Sequence, residues 1–170
     1  MIATAGVWLV RHGRPLVDRS LPAHAWPLDP AHAADVLALR PRLPATALWF
    51  CSPEPKALGT ARLLTERPVE VVGDLREHER AAGWIEDFPS AVRRAFDEPD
   101  ATAAPGWEPL APCRRRVVAA YDVIRAAHPD SDLVLVGHGT AWTLLAAHVR
   151  GDAPDLRAWE RLGLPDVIVP

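Results

Sequence analysis

Two histidines offer this chain its chemistry. The first stands in Arg11-His12-Gly13, directly after the apolar run 7–10, and the second in Gly137-His138-Gly139, directly after the apolar run 133–136. An imidazole titrates near neutral pH and can serve as base, acid or nucleophile. One histidine at the end of an apolar run is ordinarily a hydrogen-bonded structural residue. Two of them, each followed by glycine and one preceded by arginine, point to a shared site. Lys56 adds a third kind of cation, in the first turn of a helix expected from Pro55. Arginine, lysine, two imidazoles and the free N–H groups of helix N-termini make an anion site the size of a phosphate. Histidine is also one of the side chains able to take a phosphoryl group covalently.

Competing sites lack their residues. No G-x-x-x-x-G-K-[ST] phosphate loop is present, nor a G-x-S-x-G nucleophile elbow. No H-E-x-x-H occurs, and Cys51 and Cys113 form no C-x-x-C, so the expectation is no metal and no cofactor. A phosphoryl site of that kind stabilises charge with side-chain cations and backbone donors alone.

Bringing His12 and His138 together requires particular elements. Runs 7–11 and 133–137 are short, rich in branched apolar residues and closed by glycine, as buried parallel strands are. Such strands present their functional groups beyond their carboxyl ends. Further strands are expected at 47–51, 69–72 and, as an edge, 166–169. Helices are expected at 31–40 (Ala34, Leu37 and Ala38 inward), 55–67 (Leu58, Ala61 and Leu64 inward), 110–128, 141–149 and 154–162. Asp29-Pro30 is a helix start, and Trp26 is expected to pin the proline-rich loop 14–30 to the body.

Residues 75–109 have the weakest periodicity and are expected to form an excursion over the strand ends, with a short helix at 90–96. Its Trp84, Phe88 and Trp107 suit either core packing or the wall of a site for an apolar leaving group. The element order predicts an α/β fold: a three-layer α/β/α sandwich whose mostly parallel central sheet carries an antiparallel edge strand, in one domain over residues 1–170.

Composition narrows the partners. The net charge of −3 argues against nucleic acid, and Arg114-Arg115-Arg116 is expected to be a solvated helix face. The apolar start is broken by Arg11, too early for a signal peptide or a membrane span, so a cytoplasmic protein without membrane contact is expected. Of 19 cationic residues only Lys56 is lysine, which makes its position suggestive, although a single residue can also fall there by chance.

On Arg11-His12-Gly13, the segment Ser52-Pro53-Glu54-Pro55-Lys56-Ala57 with Thr60-Ala61, the triplet Leu75-Arg76-Glu77, and Gly137-His138-Gly139, the chain resembles the histidine phosphatase superfamily, the phosphoglycerate-mutase-like enzymes. The resemblance runs from residue 7 to the end. It implies His12 as the nucleophile of a phosphohistidine intermediate, with Arg11 and His138 holding the phosphoryl oxygens. Glu77 matches the family's proton donor, while Glu79, Asp74 and Glu54 lie near enough in sequence to compete, and a solvated loop carboxylate is the alternative reading of Glu77 itself.

Lys56 stands where the family most often has a second arginine, and lysine cannot make a two-pronged grip on phosphate. Arg14-Pro15 departs from the mutases' pattern, and set against that family the chain is expected to lack their extra insertion. Both favour hydrolysis of a phosphorylated small molecule or protein over mutase chemistry. Arg14 would reach the substrate's far end or simply sit at the surface. A mutase and a non-catalytic phosphate-binding module are the alternatives.

Overall fold

The computed structural model describes residues 5–81 and 83–170. Strand β1 (Val7–Arg11) leads through a long loop with short 3₁₀ turns to helix α1 (Ala33–Leu37). Next come β2 (Leu48–Cys51), α2 (Pro55–Leu64) and β3 (Val69–Val71). The excursion holds α3 (Phe88–Asp97), and α4 (Leu110–Ala127), β4 (Leu133–Gly137), α5 (Gly139–Arg150), α6 (Leu156–Arg161) and β5 (Asp166–Ile168) complete the chain.

The sheet order is β3-β2-β4-β1-β5. β1 lies parallel to β4, with Val10 opposite Val136, and β2 lies parallel to both β4 and β3. β5 runs antiparallel along β1 as the edge. The two histidine-bearing strands are therefore neighbours at the centre, as expected from their uninterrupted apolar character.

Alternate strand residues divide between two cores. Val7, Leu9, Phe50, Leu133 and Leu135 face α4 and α5, where they meet Cys113, Val117, Tyr121, Trp142 and Leu145. Val10, Trp49, Cys51, Val134 and Val136 face α1 and α2, meeting Val36, Leu39, Ala57, Ala61 and Leu64. These two apolar layers make the α/β/α sandwich. A third cluster, of Ala91, Val92, Ala104 and Trp107 with Phe88 and Trp159 packed on it, holds the excursion together.

Three local expectations need correction. α1 is short and passes into 3₁₀ geometry, so Val36 and Leu39 are its buried residues, while Ala34, Leu37 and Ala38 are exposed. Val36 and Leu39, three residues apart, are the larger apolar side chains that pack with Ala57, Ala61 and Leu64 of α2, so the buried stripe lies on a different face from the expected one. Trp26 fastens its loop to itself, donating from Nε1 to the carbonyls of Asp18 and Leu21. Arg116 is not solvated; it lies in the same helical stripe as Cys113 and Val117 and is nearly buried. Elsewhere only element ends differ, by a few residues, as fraying and capping ordinarily allow. Among the described residues no helix is long and apolar enough to cross a membrane.

Candidate active site

The strand ladder extends into the site residues. The His12 N–H donates to the Gly137 carbonyl (2.9 Å), and the Ser52 N–H donates to the Val136 carbonyl (2.9 Å). Backbone pairing thus sets three side chains, those of His12, Ser52 and His138, at the carboxyl ends of β1, β2 and β4. The rings of His12 and His138 meet edge to face with centroids 5.2 Å apart.

Each glycine of the two motifs has a packing reason. A Cβ at Gly13 would fall 2.5 Å from Val36 Cγ2, and one at Gly137 would fall 2.5 Å from the Trp142 ring. A Cβ at Gly139 would meet the Arg11 guanidinium at 3.0 Å. The Gly13 N–H donates to Thr60 Oγ1 (3.0 Å), whose hydroxyl donates to the Lys56 carbonyl (2.8 Å). Thr60 therefore ties α2 to the turn after His12.

His12 Nδ1 lies 2.6 Å from the Gly13 carbonyl. A carbonyl only accepts, so Nδ1 carries the proton and Nε2 keeps a lone pair in the neutral ring. Burial, with the charges of Lys56 and Arg11 added, lowers the His12 pKa to about 4 against the support of the Gly13 carbonyl. His138 is fully buried, its Nε2 2.7 Å from Ser52 Oγ; burial holds its pKa well below the ordinary value, so it too is neutral. Its approach to Glu54 at 3.5 Å is accordingly no ion pair.

Glu77 occupies the N-terminus of α5. Its carboxylate accepts from the N–H groups of Thr140 (3.1 Å) and Ala141 (2.9 Å), and from that of His78 (2.9 Å). Burial alone would raise its pKa, but the Arg80 guanidinium and the N–H groups of His78 and Ala141 outweigh burial and hold it at about 2. The helix terminus expected to greet a bound anion thus already holds a carboxylate of the chain. The competing acids are placed differently. Asp74 and Glu79 pair with Arg76 near the surface. Glu54 is buried, with one oxygen on Lys56 Nζ and the other accepting the Glu77 N–H at 2.9 Å.

Lys56 Nζ also donates to the Ala23 carbonyl at 2.7 Å. Arg11 Nη1 donates to the carbonyls of Leu162 (2.7 Å) and Gly163 (3.3 Å), which anchors its guanidinium over the start of α5. Arg14 is exposed and does not line the cleft.

Two contributors escaped the sequence reading. Arg80 donates from Nη2 to Thr140 Oγ1 (2.9 Å) and lies 4.9 Å from the ring centres of both Phe88 and Trp107. Nothing in a loop sequence marks it, because only the crossing of residues 79–81 with 106–108 carries it inward. Arg116 donates to the carbonyls of Asp74, Arg76 and Glu77 and pairs with Glu108 at 2.6 Å, clamping the Glu77 loop. Its helical register with Cys113 and Val117 was the available signal.

The cleft above these groups has a volume of about 880 Å³. Arg11, His12, Lys56, Glu77, Arg80 and His138 line it together. Leu21, Trp26, Trp84 and Phe88 supply apolar wall, with Arg19 stacked 4.0 Å over Trp84. Phe88 and Trp107 also belong to the excursion's core, so packing and wall are combined there.

With this geometry in place, the kinship is direct. The family model of the histidine phosphatase superfamily (branch 1) matches residues 7–167, and the chain belongs to that superfamily. The fold is shared with the mycobacterial glucosyl-3-phosphoglycerate phosphatase, at 21% identity and a TM-score of 0.71 over 94% of this chain and 85% of the other. It is shared also with the alpha-ribazole phosphatase of Shigella flexneri, at 19% identity and a TM-score of 0.69 over 91% and 83%. The product of open reading frame Rv3214 from Mycobacterium tuberculosis aligns at 19% identity and a TM-score of 0.73 over 96% and 89%. No curated protein sequence gives a significant match.

Proposed function

We propose that the protein is a metal-independent phosphatase that hydrolyses a phosphomonoester through a phosphohistidine on His12. The observation that carries this reading is the bond from His12 Nδ1 to the Gly13 carbonyl, which leaves Nε2 as the nucleophilic nitrogen of a neutral ring lining the cleft. Membership of the superfamily and the phosphatases that share the fold support it.

Nε2 attacks phosphorus as the ester P–O bond breaks, and Arg11 and His138 stabilise the charge on the phosphoryl oxygens. The leaving oxygen needs a proton. Glu77 is ionised in the free protein, so a substrate arriving as its monoanion brings the proton, and the negative charge of the phosphoryl group raises Glu77 enough to hold and deliver it. Water then attacks phosphorus, gives a proton to Glu77 and displaces His12, releasing inorganic phosphate. The wall of Leu21, Trp26, Trp84 and Phe88 suits an ester whose leaving group has an apolar body.

The test is turnover of 4-nitrophenyl phosphate with EDTA present, by wild type and His12→Ala, with rapid-quench mass spectrometry of the wild type. Turnover that survives the chelator, is lost in the variant and leaves phosphate on His12 supports the proposal. Vanadate binding without turnover would instead mark a phosphate-binding module, and phosphate on another side chain would overturn the mechanism.

A further inference from the structure

We propose that Arg80 is the second guanidinium gripping the phosphoryl group, while Lys56 and Glu54 form a strut that positions the Glu77 loop. This rests on the reading of the cleft as a phosphoryl site.

Three cations reach the floor of the cleft, and their commitments differ. Lys56 is already matched by a carboxylate: both side chains are more than nine-tenths buried, and Nζ gives two of its three donors to Glu54 and the Ala23 carbonyl. A phosphoryl group drawing on this ammonium would have to compete with Glu54, whose other oxygen holds the Glu77 N–H. Removing either partner would leave a buried charge uncompensated. Arg11 keeps Nη1 on two carbonyls and turns Nε and Nη2 toward the start of α5.

Arg80 is the least committed. Of its five N–H donors, the described residues satisfy one, through Thr140 Oγ1, and Nε is buried without a partner. The guanidinium is nevertheless fixed in place. Phe88 and Trp107 flank it, and the backbone bond from Ala81 N–H to the Gly106 carbonyl (2.9 Å) anchors its segment. It bonds Thr140, whose N–H holds Glu77, and lines the cleft together with Arg11, His12, Glu77 and His138, so it stands among the groups that would surround the phosphoryl oxygens. A planar fork held beside Glu77 can bond two phosphoryl oxygens at once, which an ammonium cannot. The guanidinium missing from position 56 is thus supplied from the excursion, by a residue far from it in sequence.

Vanadate inhibition of aryl phosphate turnover tests this, measured for wild type, Arg80→Ala, Arg80→Lys and the double variant Glu54→Gln/Lys56→Met, which removes the buried pair together. Losing Arg80 should weaken vanadate inhibition by about 100-fold, the scale of a lost transition-state donor. Added guanidinium ion should restore part of the activity of Arg80→Ala, and Arg80→Lys should stay well short of wild type. The double variant should weaken vanadate by less than about tenfold, losing turnover through a misplaced Glu77 instead. Melting curves confirm folding, and if Arg80→Ala fails to fold, Arg80→Lys decides alone. A folded Arg80 variant with vanadate inhibition within about threefold of wild type overturns the assignment, as does a larger loss in the double variant. If wild type neither binds vanadate nor turns over the ester, the phosphoryl site itself is wrong and this inference falls with it.

Discussion

The Nδ1 of His12 points at the carbonyl of the residue that follows it, at 2.6 Å, and that one bond fixes which nitrogen can attack. Because burial also lowers the pKa of this ring to about 4, the nucleophile stays neutral through pH 5, where an ordinary histidine would be protonated. Substrate monoanions predominate below about pH 6. The kcat/KM profile, which reports the free enzyme, is therefore expected to peak between about pH 4 and 6. An acid limb near the ordinary histidine value would contradict the assignment.

Stability should follow the same groups. His12 and Glu77 both have folded pKa values below their ordinary ones, so the unfolded chain binds protons first as pH falls. The folded state keeps its full margin above pH 6.5 and loses stability from there down to about 4 through His12; Glu77 extends the loss from 4.5 to about 2. The His12 part amounts to roughly 3 kcal/mol. Urea titrations of wild type and His12→Asn across this range should show a shallower slope in the variant.

Gly139 makes room for Arg11. In Gly139→Ala the new methyl would stand 3.0 Å from Arg11 Nε and press the guanidinium out of place, while α5 gains a better helix former. Activity toward an aryl phosphate is expected to fall by about 100-fold. Calorimetry should show a melting temperature no more than slightly changed.

Arg116 holds the carbonyl groups of Asp74, Arg76 and Glu77 from the far side, without entering the cleft. Arg116→Met keeps its apolar stem and removes the clamp, leaving Glu108 unpaired. The expected result is a fall in kcat of about 10-fold or more, with vanadate inhibition retained. Equal losses in both would mean general damage to the site.

The wall of the cleft sets a preference. With leaving groups of matched pKa, esters carrying an aromatic or alkyl body should show higher kcat/KM than sugar phosphates, and Trp84→Ala should narrow the gap by about 10-fold. A preference for sugar phosphates that Trp84→Ala leaves untouched would place the leaving group elsewhere.

The amino-acid order alone determined the two buried central strands and the histidines at their ends. An uninterrupted branched apolar run closed by glycine has few other places to go than the middle of a parallel sheet, and adjacent central strands bring their last residues together. The glycines, Ser52 and Thr60 were visible as a motif, but their reasons lie in close approaches between elements distant in sequence. What the tertiary structure decided is the wiring of charge. Whether a lysine faces a ligand or a buried glutamate, and whether Glu77 is ionised, depends on distances between loops whose local sequence carries no periodicity. Arg80 and Arg116 belong to that part: each acts through partners that only the crossing of the excursion over the strand ends brings within reach.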